Sequence, residues 1–277
     1  MERSHVFVVM TMERKSEQQV MIPKEKLILV TNDDGHEAKG LWALVKVARQ
    51  FGEVTVIVPD GPRSGMSHAI TMHQPLRIKQ YVNEEGISYY RTNGTPVDCV
   101  KLGQKVVLRD RKIDLVLSGV NHGSNSSVSL IYSGTMAAAI EAGFENIPAI
   151  GFSLLDYSSE ADFGAASVIC EQIIEKVLQH PYPSHIALNV NIPKRKIEDI
   201  KGIKITRQTC GYWHEDLIEH TDTFGNLYYW LTGYLENTDT EKGGCEEALK
   251  EGFVSIQPVQ HDLTAYQYMN HFKFLEK

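Results

Sequence analysis

The chain has 277 residues, 42% hydrophobic and 23% charged, with a formal net charge of −7 at pH 7. That is enough apolar material for one large core or a core with a smaller lobe, and no basic stripe is present to bind long nucleic acid through its backbone. The four cysteines (Cys99, Cys170, Cys210, Cys245) form no CxxC pair, and no secretory leader or apolar run of roughly 18 residues occurs, so we expect a cytoplasmic protein with reduced thiols and no membrane partner.

Residues 1–24 lack periodicity and mix charge with methionine, which predicts a disordered extension. KLILVT (26–31) reads as a strand and runs into NDDG. An Asp-Gly pair after an apolar run often marks a hairpin. Here the next apolar positions, Leu41, Leu44, Val45, Val47 and Ala48, follow a helical period instead, predicting a helix from about Gly40 to Phe51. The unit is therefore strand, acidic loop, helix.

EVTVIVP (53–59) is the next strand, followed by a Gly/Pro/Ser loop (60–68) and a polar–apolar stretch to about Tyr90. A helix over Val97–Leu108 precedes the strand IDLVLSGVN (113–121). TMAAAIEAGF (135–144) reads as a helix with Gly143 at its C-cap. Next come the strand 147–154, an amphipathic helix over 163–180 and the strand 185–193. Past Gly202, KITRQT, LYYWLTGYL and FVSIQPV read as strands without intervening helices. β-Branched runs alternating with helices predict an α/β fold with a doubly wound, mostly parallel sheet, whose ligand site lies beyond the carboxyl ends of the strands. We divide the chain into the extension (1–24), a catalytic core (25–200) and a C-terminal β-rich region (201–277).

The chemistry-bearing residues fall at those strand ends. The first loop offers Asn32, Asp33 and Asp34, the second Arg63, Ser64, Ser67 and His68, and the third Asn121 and Asn125. These are mostly hard oxygen donors, suited to Mg²⁺, Mn²⁺ or Ca²⁺ rather than a zinc cage. A divalent ion would also relieve the repulsion between adjacent carboxylates. Glycines in GPRSG, NGT (93–95), NHGSN (121–125) and YSGT (132–135) free backbone amides for an anion. Ser133, Gly134 and Thr135 also open a helix, whose positive end favours phosphate. Metal on one side and amide donors on the other is a layout for phosphoryl hydrolysis.

Taken in order, TNDDG, PDGPRSGMSH, NGTPVDCVKLG, SGVNHGSN, YSGTMAAAIEAG and VQHDLTAY resemble the SurE family of stationary-phase survival proteins, over about Lys26–Tyr266. The resemblance implies a Rossmann-like core and hydrolysis of nucleoside 5′- and often 3′-monophosphates. It implies a divalent metal, Mg²⁺ or Mn²⁺, held by Asp33, Asp34, Ser64 and Asn121. It also implies a homodimer or homotetramer with exchanged C-terminal segments. His68, His122 and Tyr266 depart from the family pattern, and none of them is a proposed metal ligand. We take Asp33 and Asp34 as catalytic as well as metal-binding, and Asn93, Gly94, Thr95, Ser133, Gly134, Thr135, Ser67 and His68 as phosphate-binding.

Two other functions compete. A phosphatase with an aspartate nucleophile wants a carboxylate two residues after the first Asp, where this chain has Gly35. A non-catalytic nucleotide sensor would bind without turnover. A dinucleotide dehydrogenase is disfavoured because no GxGxxG follows the first strand. Among the remaining residues, His36 reads as solvated at the site mouth, Arg63 as a partner of phosphate or of a nearby carboxylate, and Tyr228, Tyr229 and Trp230 as core or interface.

Overall fold

The computed structural model describes residues 26–276, and the expected 1–24 extension lies outside them. At its centre is β1 (Leu27–Thr31), buried at every position. A strand that is apolar throughout needs cover on both faces, and a parallel sheet crossed by helices provides it. β1 pairs in parallel with β2 (Glu53–Pro59) on one side and β5 (Leu115–His122) on the other. Beyond β2 lie β4 (Ser88–Thr92), parallel to it, and β3 (Ile78–Val82), antiparallel to β4. Beyond β5 lie β6 (Ala149–Leu154) and β7 (Ala187–Ile192), both parallel.

The chain thus builds outward from β1 in one direction and then returns to build in the other. The switch falls between β1 and β5, where adjacent loops leave the sheet on opposite faces and open a crevice. Among the described residues, six α-helices frame the sheet: α1 (Lys39–Ala48), α2 (Pro96–Leu102), the single turn α3 (Ser129–Tyr132), α4 (Gly134–Phe144), α5 (Gly164–Gln179) and α6 (Cys245–Glu251). Ile28 and Val30 pack with Leu41, Leu44, Ile173 and Ile174 of α1 and α5. Leu27 and Leu29 face the other way, onto Val100, Met136 and Ala139 of α2 and α4.

Several boundaries move. The helix expected over 97–108 is α2 only to Leu102, followed by one wide turn over Gly103–Val107. Gly143 does not cap α4, whose C-cap is Glu145. Gly143 sits inside the last turn, where a Cβ would lie 3.1 Å from the His185 carbonyl oxygen. The region after residue 201 also divides. β8 (Ile203–Ile205) and β11 (Val254–Val259) join the main sheet beside β7, giving nine strands, with β11 antiparallel to β7. Only β9 (Gly211–Thr221) and β10 (Leu227–Asn237) stand apart, as a long antiparallel hairpin. α6 intervenes between β10 and β11, where strands alone were expected; CEEALKE is too short to show a helical period.

The loop after β5 is pinned by buried amides. Asn191 Oδ1 accepts from the Asn125 amide N–H (2.8 Å), and Asn191 Nδ2 donates to Asn189 Oδ1 (3.0 Å). Asn189 Nδ2 donates to the Asn125 carbonyl (2.9 Å), and Asn125 Nδ2 to Ser153 Oγ (2.8 Å). Asn189 and Asn191 are fully buried on β7. Removing one member strands its partners, at roughly 1–3 kcal/mol each. Asn191→Ala is therefore expected to lower unfolding free energy by about 2–4 kcal/mol, read as a lower denaturant midpoint at unchanged slope. An unshifted midpoint would show that the network contributes nothing to stability.

Candidate active site

The β1 and β5 loops meet at the crevice. Asp33 is 3% exposed, and its Oδ1 accepts a 2.5 Å hydrogen bond from Thr135 Oγ1 on α4. A Cβ on Gly134 would lie 2.9 Å from Asp33 Cβ, so only glycine lets the helix start come this close. Asp34 Oδ2 accepts from the His122 backbone N–H at 3.3 Å. In β5 the pairing with β6 shifts between Ser118 and Asn121, a bulge that re-aims Asn121 out of the regular alternation. Asn121 Nδ2 is spent on the carbonyls of His122 (3.1 Å) and Gly123 (2.9 Å), which leaves its Oδ1 uncommitted.

Asp33, Ser64, Asn121 and Ser133 line one cleft of about 580 Å³. A larger open groove of about 1030 Å³ runs along α1 beside Trp42 and Tyr89, but it holds none of the Asp33, Ser64 or Asn121 oxygens. Chemistry, not size, therefore selects the site.

The charges are unfavourable as they stand. Burial, then the neighbouring Asp34 carboxylate, push the Asp33 carboxyl up to about 6 against the pull of the Thr135 hydrogen bond. Burial also raises Asp34, opposed by the His122 amide. The free donors fit a hard divalent cation: one uncommitted oxygen each on Asp33 (Oδ2), Asp34 (Oδ1) and Asn121 (Oδ1). Ser64 is exposed, with no side-chain hydrogen bond among the described residues. Two carboxylates, a hydroxyl and an amide oxygen form an all-oxygen set, with no imidazole or thiolate.

The phosphate-binding expectations divide. Ser133 lines the cleft while its Oγ caps α4 by accepting from the Met136 amide (3.0 Å). Thr135 is fully buried and turned to Asp33 rather than to the cleft. The remaining residues do not line the cleft. Ser67 Oγ donates to the Ile131 carbonyl at 2.7 Å. His68 Nε2 lies 2.9 Å from the buried Glu141 carboxylate, which also pairs with Lys101. Asn93 closes onto the Arg77 amide and the Pro75 carbonyl, and Gly94 N–H donates to Thr92 Oγ1. Thr95 caps α2 in a reciprocal capping box with Asp98. NGT thus starts a helix here.

Other residues move too. Arg63 pairs with Asp60 at 2.7 Å, a carboxylate rather than an anion site. His36 is half-buried and stacked on Tyr89, and burial, then Arg91, lower its pKa. Tyr228, Tyr229 and Trp230 are all exposed, so none is core. Sequence reasoning missed the outer wall of the cleft: Tyr157 after β6, and Trp213, Glu215, Leu231 and Gly233 of the hairpin. YWHEDLIEH carries no clean two-residue alternation, and nothing local ties it to a loop ninety residues earlier.

Comparison with known proteins fits this geometry. The family model described as Survival protein SurE matches residues 28–215. A protein of Christiangramia forsetii named 5′-nucleotidase SurE is 51% identical over 251 residues, covering 90% of this chain and 96% of its own length. A namesake from Flavobacterium psychrophilum is 50% identical over 87% of this chain and 93% of its own. The crystal structure of SurE protein from Aquifex aeolicus superposes with a TM-score of 0.77 at 37% identity, over 91% of this chain and all of that one. With the family model spanning most of the core and half the residues shared with its relatives, the chain belongs to the SurE family.

Proposed function

We propose that the chain is a metal-dependent phosphatase that hydrolyses nucleoside 5′- and 3′-monophosphates to nucleoside and phosphate. The observation that carries this reading is that Asp33, Ser64 and Asn121 line one cleft of nucleotide size, with Asp34 next to Asp33 and tied to the His122 amide, in a chain whose relatives are named 5′-nucleotidases. Bound there, Mg²⁺ or Mn²⁺ would offset the paired carboxylates, polarise a phosphoryl oxygen and ease deprotonation of water. Ser133, which lines the cleft, is the N-cap of α4 and brings the positive end of that helix to the phosphate. Thr135 and the His122 amide hold the two carboxylates in place.

Among the described residues no helix is long and apolar enough to cross a membrane. All four cysteines are unbridged, three of them buried, which supports the cytoplasmic reading. Apolar side chains exposed on the hairpin (Leu217, Trp230, Leu231) and on the last helical turns (Tyr266, Phe272, Phe274) support assembly through the C-terminal region, as a dimer or tetramer with exchanged segments.

EDTA is expected to abolish phosphate release from AMP, with Mg²⁺ or Mn²⁺ restoring it; full turnover by exhaustively chelated protein would refute the metal assignment. A chain that binds AMP but never releases phosphate would be a sensor. In sedimentation at micromolar concentration, the full chain should run as a dimer or larger, and a stable active monomer would contradict the assembly. Asp33→Asn keeps shape and the Thr135 bond while removing one buried charge. Turnover should fall by at least about 10³-fold. Without metal at neutral pH, the variant should melt at the same temperature as wild type or higher, because burial and repulsion penalise the charged residue. A destabilised metal-free variant with near-normal turnover would overturn the ligand role.

A further inference from the structure

Tyr157 is unusual in being both open and fixed. It is 73% exposed, yet its hydroxyl accepts a hydrogen bond from the Ser124 amide at 3.2 Å. Its ring packs directly against Gly123, where a Cβ would come within 2.3 Å of ring carbon Cε1. Gly123 also has φ +95°, a conformation that suits glycine. The ring is therefore backed by the Gly123 backbone, and Tyr157 lines the same cleft as Asp33 and Asn121.

The support for the ring belongs to the loop that positions the cleft-facing Asn121. The Gly123 carbonyl accepts from Asn121 Nδ2, and Ser124 Oγ reaches Asn191 Oδ1 at 3.3 Å. An exposed aromatic held in this way presents a preset flat apolar face at a set reach from the phosphate end. Trp213 of β9 lines the same cleft and adds a second aromatic surface. On that face of the hairpin the residue opposite Glu215 is Gly233, which puts no side chain across from Glu215.

We propose that Tyr157 and Trp213 form the platform on which the base of the nucleotide stacks, making them the residues that distinguish nucleotides from other phosphate monoesters. The inference rests on the nucleotidase reading above. A flat, uncharged, aromatic group is the ligand chemistry that matches such surfaces, and stacking tolerates any base because every base has a π-face. Tyr157 and Trp213 are binding residues for the base and take no part in the bond-breaking step.

The test compares AMP with ribose 5-phosphate, which is the same phosphate ester without its base, on the full-length protein with saturating Mn²⁺. Wild type should favour AMP in kcat/KM. Tyr157→Ala and Trp213→Ala should each lower the AMP to ribose 5-phosphate ratio about tenfold, chiefly through KM for AMP. Tyr157→Phe, which keeps the ring, should retain most of the ratio. A ratio unchanged in both alanine variants, whether the two activities fall together or neither falls, overturns the platform. A wild type that hydrolyses neither ester instead overturns the nucleotidase reading.

Discussion

Two adjacent carboxylates at the end of a strand buried on both faces set the terms for everything around them. Neither Asp33 nor Asp34 can be solvated as a surface aspartate would be, and the Asp34 carboxylate raises the cost of charging Asp33. The fold meets this with directed donors: the Thr135 hydroxyl on one carboxylate and the His122 amide on the other. Those donors arrive from α4 and from the β5 bulge, so the topological switch between β1 and β5 is what lets both reach the pair. Gly134 is the steric condition for the first contact.

The same loop that serves the carboxylates also anchors the outer wall. Ser127 Oγ donates to the Thr209 carbonyl at 2.9 Å, and Gln208 Nε2 to the Ser127 carbonyl at 2.9 Å. Ser126 Oγ pairs with Glu246 on α6, while Cys245 Sγ receives the Ser127 and Thr209 amides. The root of the hairpin is thus bonded to the segment carrying Asn121 and Asn125. Amides inside (Asn125, Asn189, Asn191) and hydroxyls outside hold one loop between sheet and hairpin, so inner donors and outer aromatics keep a set separation.

The sheet was legible because its signal is local: LILVT and AIGFSL are buried throughout and EVTVIVP over its last four residues, the runs being broken by helical periods, and NDDG sits at the carboxyl end of a parallel strand. The phosphate loops were less legible, because a Gly/Thr turn reads alike whether its amides meet an anion or begin a helix. TPVD, with threonine followed by proline and then an acid three residues on, was the available signal that Thr95 caps α2. His68 had no such clue. Its partner Glu141 is 73 residues away, and a polar residue in a glycine-rich loop looks free until the fold supplies the carboxylate. Tyr157 and Trp213 reach the cleft only through tertiary placement, which no period encodes.

The hairpin has two faces with different demands. By register, Trp213, Glu215, Leu231 and Gly233 share the face toward the cleft, while Tyr212, His214, Tyr228, Trp230 and Tyr234 share the other. On that outer face Tyr212 and His214 both bond Glu236, and His214 stacks on Tyr234, a polar–aromatic ladder running along the strands. Cross-strand pairs of this kind contribute only about 0.2–1 kcal/mol each. A two-stranded ribbon without further cover is marginal in water. Order in the cleft-facing residues therefore depends partly on what covers the opposite face, beyond what the root bonds supply. Since the two faces share one backbone, burying the outer aromatics against another surface stiffens the wall that carries Trp213. If a second copy covered that outer face, assembly and the proposed base platform would be coupled through eleven paired residues per strand, with no need for a contact between the partner and the substrate.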